Sequence, residues 1–247
     1  MEKYYEILRE KSFKQILEVG PGLGFLTDLL VQGNYATLII VEKDENFALL
    51  LERKYKNVQI INKDILKINS EIWSTLDAVI GNIPYEISSP LLFTIMKNAK
   101  RDKLPYMAFL VQKEFGKRII AKAGTQDYSR LSVNMNLIGE PKIIQEFGPG
   151  SFYPAPKIAS VLIEIQPKEL GALKDIIFEK NFSEFLVRLF NRKNRSVRSV
   201  LKPVAKKQDN KEESIKIIDD SIFSQKRVKD LTPDQIVKLF LEVKSLF

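Results

Sequence analysis

Leu76-Asp77-Ala78-Val79-Ile80-Gly81-Asn82-Ile83-Pro84-Tyr85 is the stretch on which the reading of this chain turns. The apolar run Leu76, Ala78, Val79, Ile80 predicts a short buried strand that stops at Gly81. Pro84 fixes its own φ and pushes Ile83 away from helix, so the loop after the strand is extended and stiff. Such a loop holds three groups in one arrangement: the Asn82 carbonyl acceptor, the Ile83 backbone carbonyl and the flat face of Tyr85. Two acceptors and a ring suit a planar amino-heterocycle such as adenine. A plain strand end with a half-buried Tyr is the alternative, and the rest of the chain decides between them.

Working outward, strands and helices alternate around this loop. Ile16-Leu17-Glu18-Val19 predicts a first strand running into Gly20-Pro21-Gly22-Leu23-Gly24, with a helix opening at Phe25 to Leu30. Strand, glycine loop, helix is the turn that cradles a nucleoside or phosphate in a doubly wound sheet, because glycine lets backbone approach a ligand closely. A tight structural turn is its alternative. Thr37 to Val41 predicts the second strand, ending at Glu42, which lies 22 residues after Gly20, where an acid meets ribose hydroxyls. Val58 to Ile61 predicts the third, and Asp64 follows, placed either to accept from an adenine amino group or merely to cap a helix. Tyr106 to Val111 predicts strand five, followed by a helix containing Arg118. A helix over Ser129–Ile138 and strands over Lys142–Phe147 and Ile158–Ile165 complete a mostly parallel sheet with an antiparallel edge. Ligands of such sheets bind outside the carboxyl ends of the strands. Glu18 to Gly24, Glu42, Asp64 and Asn82 all fall there.

From Lys168 the pattern is helical only, so we expect a domain over 1–167 and a second over 168–247. Leu186, Leu189, Val197, Val200 and Leu201 form an apolar stripe. Arg188, Arg192, Arg195, Arg198 and Lys202 recur at steps of three or four. On one helix these cations share a face about 120° wide, which predicts either a phosphate-contacting helix or a solvated basic surface.

Composition narrows the chemistry. The 247 residues hold no cysteine and no histidine, which removes disulfides, thiolate nucleophiles, the commonest metal ligands and the usual general base near neutral pH. A net charge of +8 favours a polyanionic partner. No apolar run of 18 residues is present, so no membrane span is expected, nor a metal, and the expected setting is the cytoplasm.

Taken together, Glu18–Gly24, Asn82–Tyr85, Gln112-Lys113-Glu114 with Arg118, Tyr128–Val133 and Phe152–Lys157 resemble the rRNA adenine dimethyltransferases, over roughly Ile16 to Gln166. Arg188–Lys202 and Arg227–Leu239 look like that family's helical tail. The resemblance implies an α/β seven-stranded S-adenosylmethionine-dependent methyltransferase fold with a small all-helical C-terminal domain. It implies S-adenosylmethionine contacts at Glu18, Gly20, Gly22, Glu42, Asp64 and Asn82, and catalytic roles for Asn82, Pro84, Tyr85 and Phe152, the two rings sandwiching the target base. Arg188, Arg192, Arg195, Arg198 and Lys202 are its expected RNA contacts. The Tyr128–Val133 and Phe152–Lys157 stretches look more like the branch that modifies small-subunit rRNA during ribosome biogenesis. That branch dimethylates two adjacent adenosines in a hairpin near the rRNA 3′ end, in a pre-assembled small subunit, and a monomer is expected. The alternatives are a large-subunit rRNA adenine methyltransferase, an RNA-binding assembly factor without catalysis, and, from the glycine turn alone, a dinucleotide oxidoreductase. Family members begin with a Gly-Gln-Asn/His-Phe-Leu segment that closes over the cofactor. The 15 residues before Ile16 hold no such stretch, so either the native start lies upstream of Met1 or the lid is missing, which weakens donor binding.

Overall fold

A computed structural model describes residues 6–8, 11–33, 35–98, 104–148, 150 and 158–247, the Tyr85 side chain excepted. Seven strands form one sheet in the order β3-β2-β1-β4-β5-β7-β6. They are β1 (Gln15–Val19), β2 (Thr37–Glu42), β3 (Gln59–Asn62), β4 (Ala78–Asn82), β5 (Tyr106–Gln112), β6 (Gly139–Phe147) and β7 (Ser160–Pro167). Adjacent pairs among β1 to β5 run parallel, and β7 runs antiparallel to β5. The antiparallel strand is therefore internal, between β5 and β6, rather than at the edge the sequence suggests.

Burial explains the parallel centre. Ile16, Leu17, Ile40, Ala78, Val79, Ile80 and Ala108 are shut off from solvent, the continuous apolar pattern of strands covered on both faces. Register then sets the site. Val19 pairs with Val41 and Gly81, Glu42 with Asn62, and Asn82 with Leu110, so the carboxyl ends of β1 to β4 share one edge.

Between them lie α1 (Thr27–Leu30), α2 (Glu45–Lys54), α3 (Ser70–Thr75), α4 (Ser88–Asn98) and α5 (Lys113–Ile120). The helix predicted from Phe25 starts two residues later and runs one turn, residues 22–26 being taken up by turns. Asp44 caps α2, its carboxylate accepting from the amides of Asn46 (2.8 Å) and Phe47 (3.2 Å).

The chain divides into two compact units, Met1–Gly116 with Glu140–Glu169, and Lys117–Gly139 with Leu170–Phe247. The second is helical and draws Lys117–Gly139 in beside the segment expected from residue 168 on. It contains α6 (Arg130–Ile138), α7 (Leu173–Ile177), α8 (Lys180–Phe190), α9 (Val197–Ala205), α10 (Lys211–Asp220) and α11 (Pro233–Val243). Phe182 and Phe185 of α8 pack on Phe240 of α11, with ring centroids 5.2 and 5.3 Å apart. Thr232 and Gln235 form a capping box at the start of α11. Among the described residues no helix is long and apolar enough to cross a membrane.

One expectation is corrected here. Arg188 to Lys202 do not lie on one helix, because α8 ends at Phe190 and α9 begins at Val197. The intervening backbone is committed elsewhere: the Val197 amide donates to the Lys226 carbonyl (2.9 Å), and the Val228 amide to the Arg195 carbonyl (3.0 Å). Ser196 then restarts the helix, its hydroxyl accepting from the Ser199 amide. The apolar stripe survives the break, since Leu186, Leu189, Val197, Val200 and Leu201 are all buried.

Candidate functional site

The glycine turn after β1 is shaped by backbone that other residues adopt only at a cost. Gly20 has φ +62° and Gly22 φ +57°, in the left-handed region. A Cβ on Gly20 would stand 3.6 Å from the Asn82 carbonyl oxygen and 3.9 Å from Pro84 Cδ, so the turn faces the loop after β4 at van der Waals range. A Cβ on Gly22 would meet nothing within 4 Å, so that side of the turn is open to a ligand.

Three acids stand at this edge in three different states. The buried Glu42 carboxylate accepts from the Gly22 amide (3.2 Å) and the Asp44 amide (2.9 Å), tying the end of β2 to the glycine turn. Glu18 is 1% exposed; the Thr27 hydroxyl donates to its Oε2 (2.7 Å), while Oε1 is buried and unpartnered among the described residues. Burial pushes its pKa up to about 7, and the Thr27 bond opposes that rise. Asp64 caps the short turn Ile65–Lys67, accepting from the Leu66 amide (3.0 Å). The capping alternative is thus realised, and one bond leaves the half-buried carboxylate with further acceptor capacity.

Asn82 ends β4 beside this turn. Its side chain is exposed, and among the described residues the amide has no hydrogen-bond partner. The backbone around it is held firmly: the buried Ile83 donates its amide to the Leu110 carbonyl (3.1 Å). The Pro84 carbonyl accepts from the Ile87 amide and the Ser88 hydroxyl, both at 3.1 Å. The loop is therefore firmly held backbone presenting an exposed amide. Phe152 lies outside the described residues, as does the Tyr85 side chain.

Glu18, Gly20, Gly22, Glu42, Asn82 and Pro84 are thus brought together, with Asp64 two residues beyond β3 at the same edge. Sequence reasoning passed over Asn62, whose side-chain amide donates to the Glu42 carbonyl (3.0 Å) and the Lys43 carbonyl (3.3 Å). It also passed over Thr27, the only polar side chain bonded to Glu18 among the described residues. A hydroxyl at the start of a helix that follows Glu-x-Gly-x-Gly was the available signal.

The Tyr128–Val133 stretch proves to be architecture. Tyr128 is fully buried, and its hydroxyl donates to the Leu231 carbonyl (2.8 Å). Lys193 Nζ caps the carbonyls of Gln126 (2.7 Å) and Tyr128 (2.8 Å), and the Ser132 hydroxyl donates to the Arg118 carbonyl (2.6 Å). Of the five residues expected to meet RNA, Arg198 is engaged in a two-pronged pair with Asp219. Arg188, Arg192 and Arg195 are exposed, and Lys202 is half-buried.

The residues at the edge fit S-adenosylmethionine. An open left-handed glycine turn suits a close backbone approach, Glu42 keeps lone pairs for hydroxyls, and the orphaned Glu18 oxygen suits a positively charged ligand. Comparison with known proteins agrees. The model of the family described as ribosomal RNA adenine dimethylase matches residues 6–245. A Pyrococcus furiosus protein named probable ribosomal RNA small subunit methyltransferase A is 35% identical, over 99% of this chain and 88% of its own. A ribosomal RNA small subunit methyltransferase A from Anaplasma marginale is 36% identical, over 75% of this chain and 69% of its own. Among solved structures, a dimethyladenosine transferase from Plasmodium falciparum superposes with a TM-score of 0.80 at 26% identity, over 95% of this chain and 91% of its own. The 23S rRNA methyltransferase ErmE (TM-score 0.64, 21% identity, 98% and 97% covered) shares the fold. The chain belongs to the ribosomal RNA adenine dimethylase family of S-adenosylmethionine-dependent methyltransferases.

Proposed function

We propose that this protein dimethylates the exocyclic amines of two adjacent adenosines in a hairpin near the 3′ end of small-subunit rRNA, acting as a monomer on a pre-assembled small subunit during ribosome biogenesis. The observation that carries the reading is the exposed Asn82 amide, without a partner among the described residues, on a strand end whose backbone carbonyl lies against the glycine turn. The small-subunit assignment is supported by relatives of 30% to 36% identity that bear that name.

S-adenosylmethionine supplies an electrophilic methyl group. Glu42 is assigned to its ribose hydroxyls, Asp64 to its adenine amine, and Gly20 and Gly22 to the close backbone approach. The Asn82 carbonyl and the Ile83 carbonyl accept the two hydrogens of the target amine. Drawing them out of the ring plane localises the nitrogen lone pair towards the methyl group, so the main task is alignment. After transfer the amine proton passes to water, which suits a chain without histidine. The target base must be unstacked to reach Asn82, and Tyr85 and Phe152 are its proposed sandwich. Residues 168–247 are the proposed RNA-contacting domain.

The test is incorporation of labelled methyl groups into purified small and large subunits lacking the modification, followed by primer extension. Label confined to two adjacent adenosines of small-subunit rRNA supports the reading. Label in large-subunit rRNA, or none in either, overturns it.

A further inference from the structure

The glycine turn gathers three carboxyl groups, and two of them have settled partners. Asp28 on α1 receives Lys54 Nζ (2.8 Å) and the Tyr55 hydroxyl (2.7 Å) from the α2 side. Glu42 receives two backbone amides. Glu18 has only the Thr27 hydroxyl, and no cation pairs with it among the described residues. Its sheet neighbours in register, Ile40 and Ile80, are apolar. A carboxylate buried in this way lacks a counter-charge, and the proton is its cheapest substitute. Burial is the chief reason its proton is held up to about neutral pH, and the negative charges of Asp28 and Glu42 add to it.

We propose that Glu18 is a proton-linked receptor for positive charge: it keeps a proton in the free protein and releases it when the sulfonium donor settles on the glycine turn. This rests on reading that turn as the donor site. The step breaks one carboxyl O–H bond and passes the proton to solvent. The carboxylate left behind is balanced by the ligand's charge, and nothing is oxidised or reduced. Methyl transfer converts the sulfonium to a neutral thioether, so the spent molecule offers less positive charge. Glu18 then takes its proton back and the product is held less tightly than the donor. The residue therefore separates donor from product by charge, which hydrogen bonds to the Glu42 carboxylate cannot do.

The chain has no histidine and no cysteine, so few other groups exchange protons near pH 7 and the effect is readable in the unaltered protein. Titration calorimetry with S-adenosylmethionine and with S-adenosylhomocysteine, in two buffers of different ionisation enthalpy, measures the protons released. At pH 7 the donor is expected to release roughly half a proton more than the product, and donor affinity to rise about tenfold from pH 6 to pH 8 relative to the product. Glu18→Gln should abolish both differences. Donor binding with equal proton release for both ligands, and affinities that run parallel across pH, overturns the Glu18 role and leaves the donor site standing. Failure of either ligand to bind overturns the donor-site reading as well.

Discussion

Gly81 lies so close to Val19 that a Cβ built on it would overlap the Val19 carbonyl oxygen. That close approach sets the spacing between β1 and β4 immediately before Asn82. Gly81→Ala should therefore cost about 1–3 kcal/mol, the range for overpacking a tight site. Urea denaturation measures the loss, and weaker donor binding should accompany it as the glycine turn moves away from Asn82.

Asn82→Ala is expected to behave in the opposite way. An exposed amide with no partner among the described residues contributes little to folding, so the melting temperature should hold. Methyl transfer should fall by roughly two orders of magnitude or more, as for loss of a preorganised polar group at a reacting centre. Single-turnover transfer within about threefold of wild type would remove Asn82 from the reaction.

Tyr128→Phe tests whether a residue in a family-like motif is architectural. Removing the hydroxyl leaves the Leu231 carbonyl without its donor, at an expected cost of about 1–3 kcal/mol. Calorimetric affinity for the methyl donor should be unchanged.

Arg192 and Arg195 should part company with Arg198. Reversing the charge of the first two should lower the slope of log RNA affinity against log salt by roughly 0.7–0.9 for each phosphate no longer neutralised. Arg198→Ala should instead lower the melting temperature slightly, because its guanidinium is paired with Asp219 between α9 and α10. An equal salt effect from all three would mean that RNA pulls Arg198 off Asp219.

Glu18 also makes folding stability depend on pH. Its carboxyl is raised from the ordinary 4.5 to about 7 in the folded chain, so the native state binds the proton more tightly. The stabilisation is complete below pH 4.5 and is lost as pH rises through 7, a change of about 3 kcal/mol from this group. Glu18→Gln, which cannot ionise, should flatten that decline in urea titrations between about pH 5 and pH 8.

The parallel half of the sheet was legible because its signals are local. Ile16–Val19, Thr37–Val41 and Leu76–Ile80 are mostly apolar stretches, each followed at once by a glycine or an acid where the strand stops or nears its end. The helix break at Asn191–Ser196 was not read, because steps of four, three, three and four suit one continuous helix equally well. What decides against it is pairing with Lys226 and Val228, some thirty residues on. Asn191, Asn194 and Ser196 were the local hints, all residues that favour caps over helix interiors. Likewise nothing near Tyr128 announces that its hydroxyl belongs to Leu231, 103 residues away.

That last separation bears on how the protein is made. During synthesis α6 leaves the ribosome long before the carbonyl that will satisfy Tyr128 has been polymerised. At about 5–20 residues per second the wait is roughly 5–20 s. Throughout that interval Leu131, Val133, Met135 and Ile138, all buried in the finished molecule, lack the α11 surface of their own unit, and α8 is complete only once Phe190 has been added. The first unit needs only the chain up to Glu169 to close its sheet, so it is expected to fold while the second still waits, with α6 held as an unfinished loop. Nascent chains stalled between Glu169 and Leu231 should accordingly resist protease across β1 to β5 and be cut between Lys117 and Gly139.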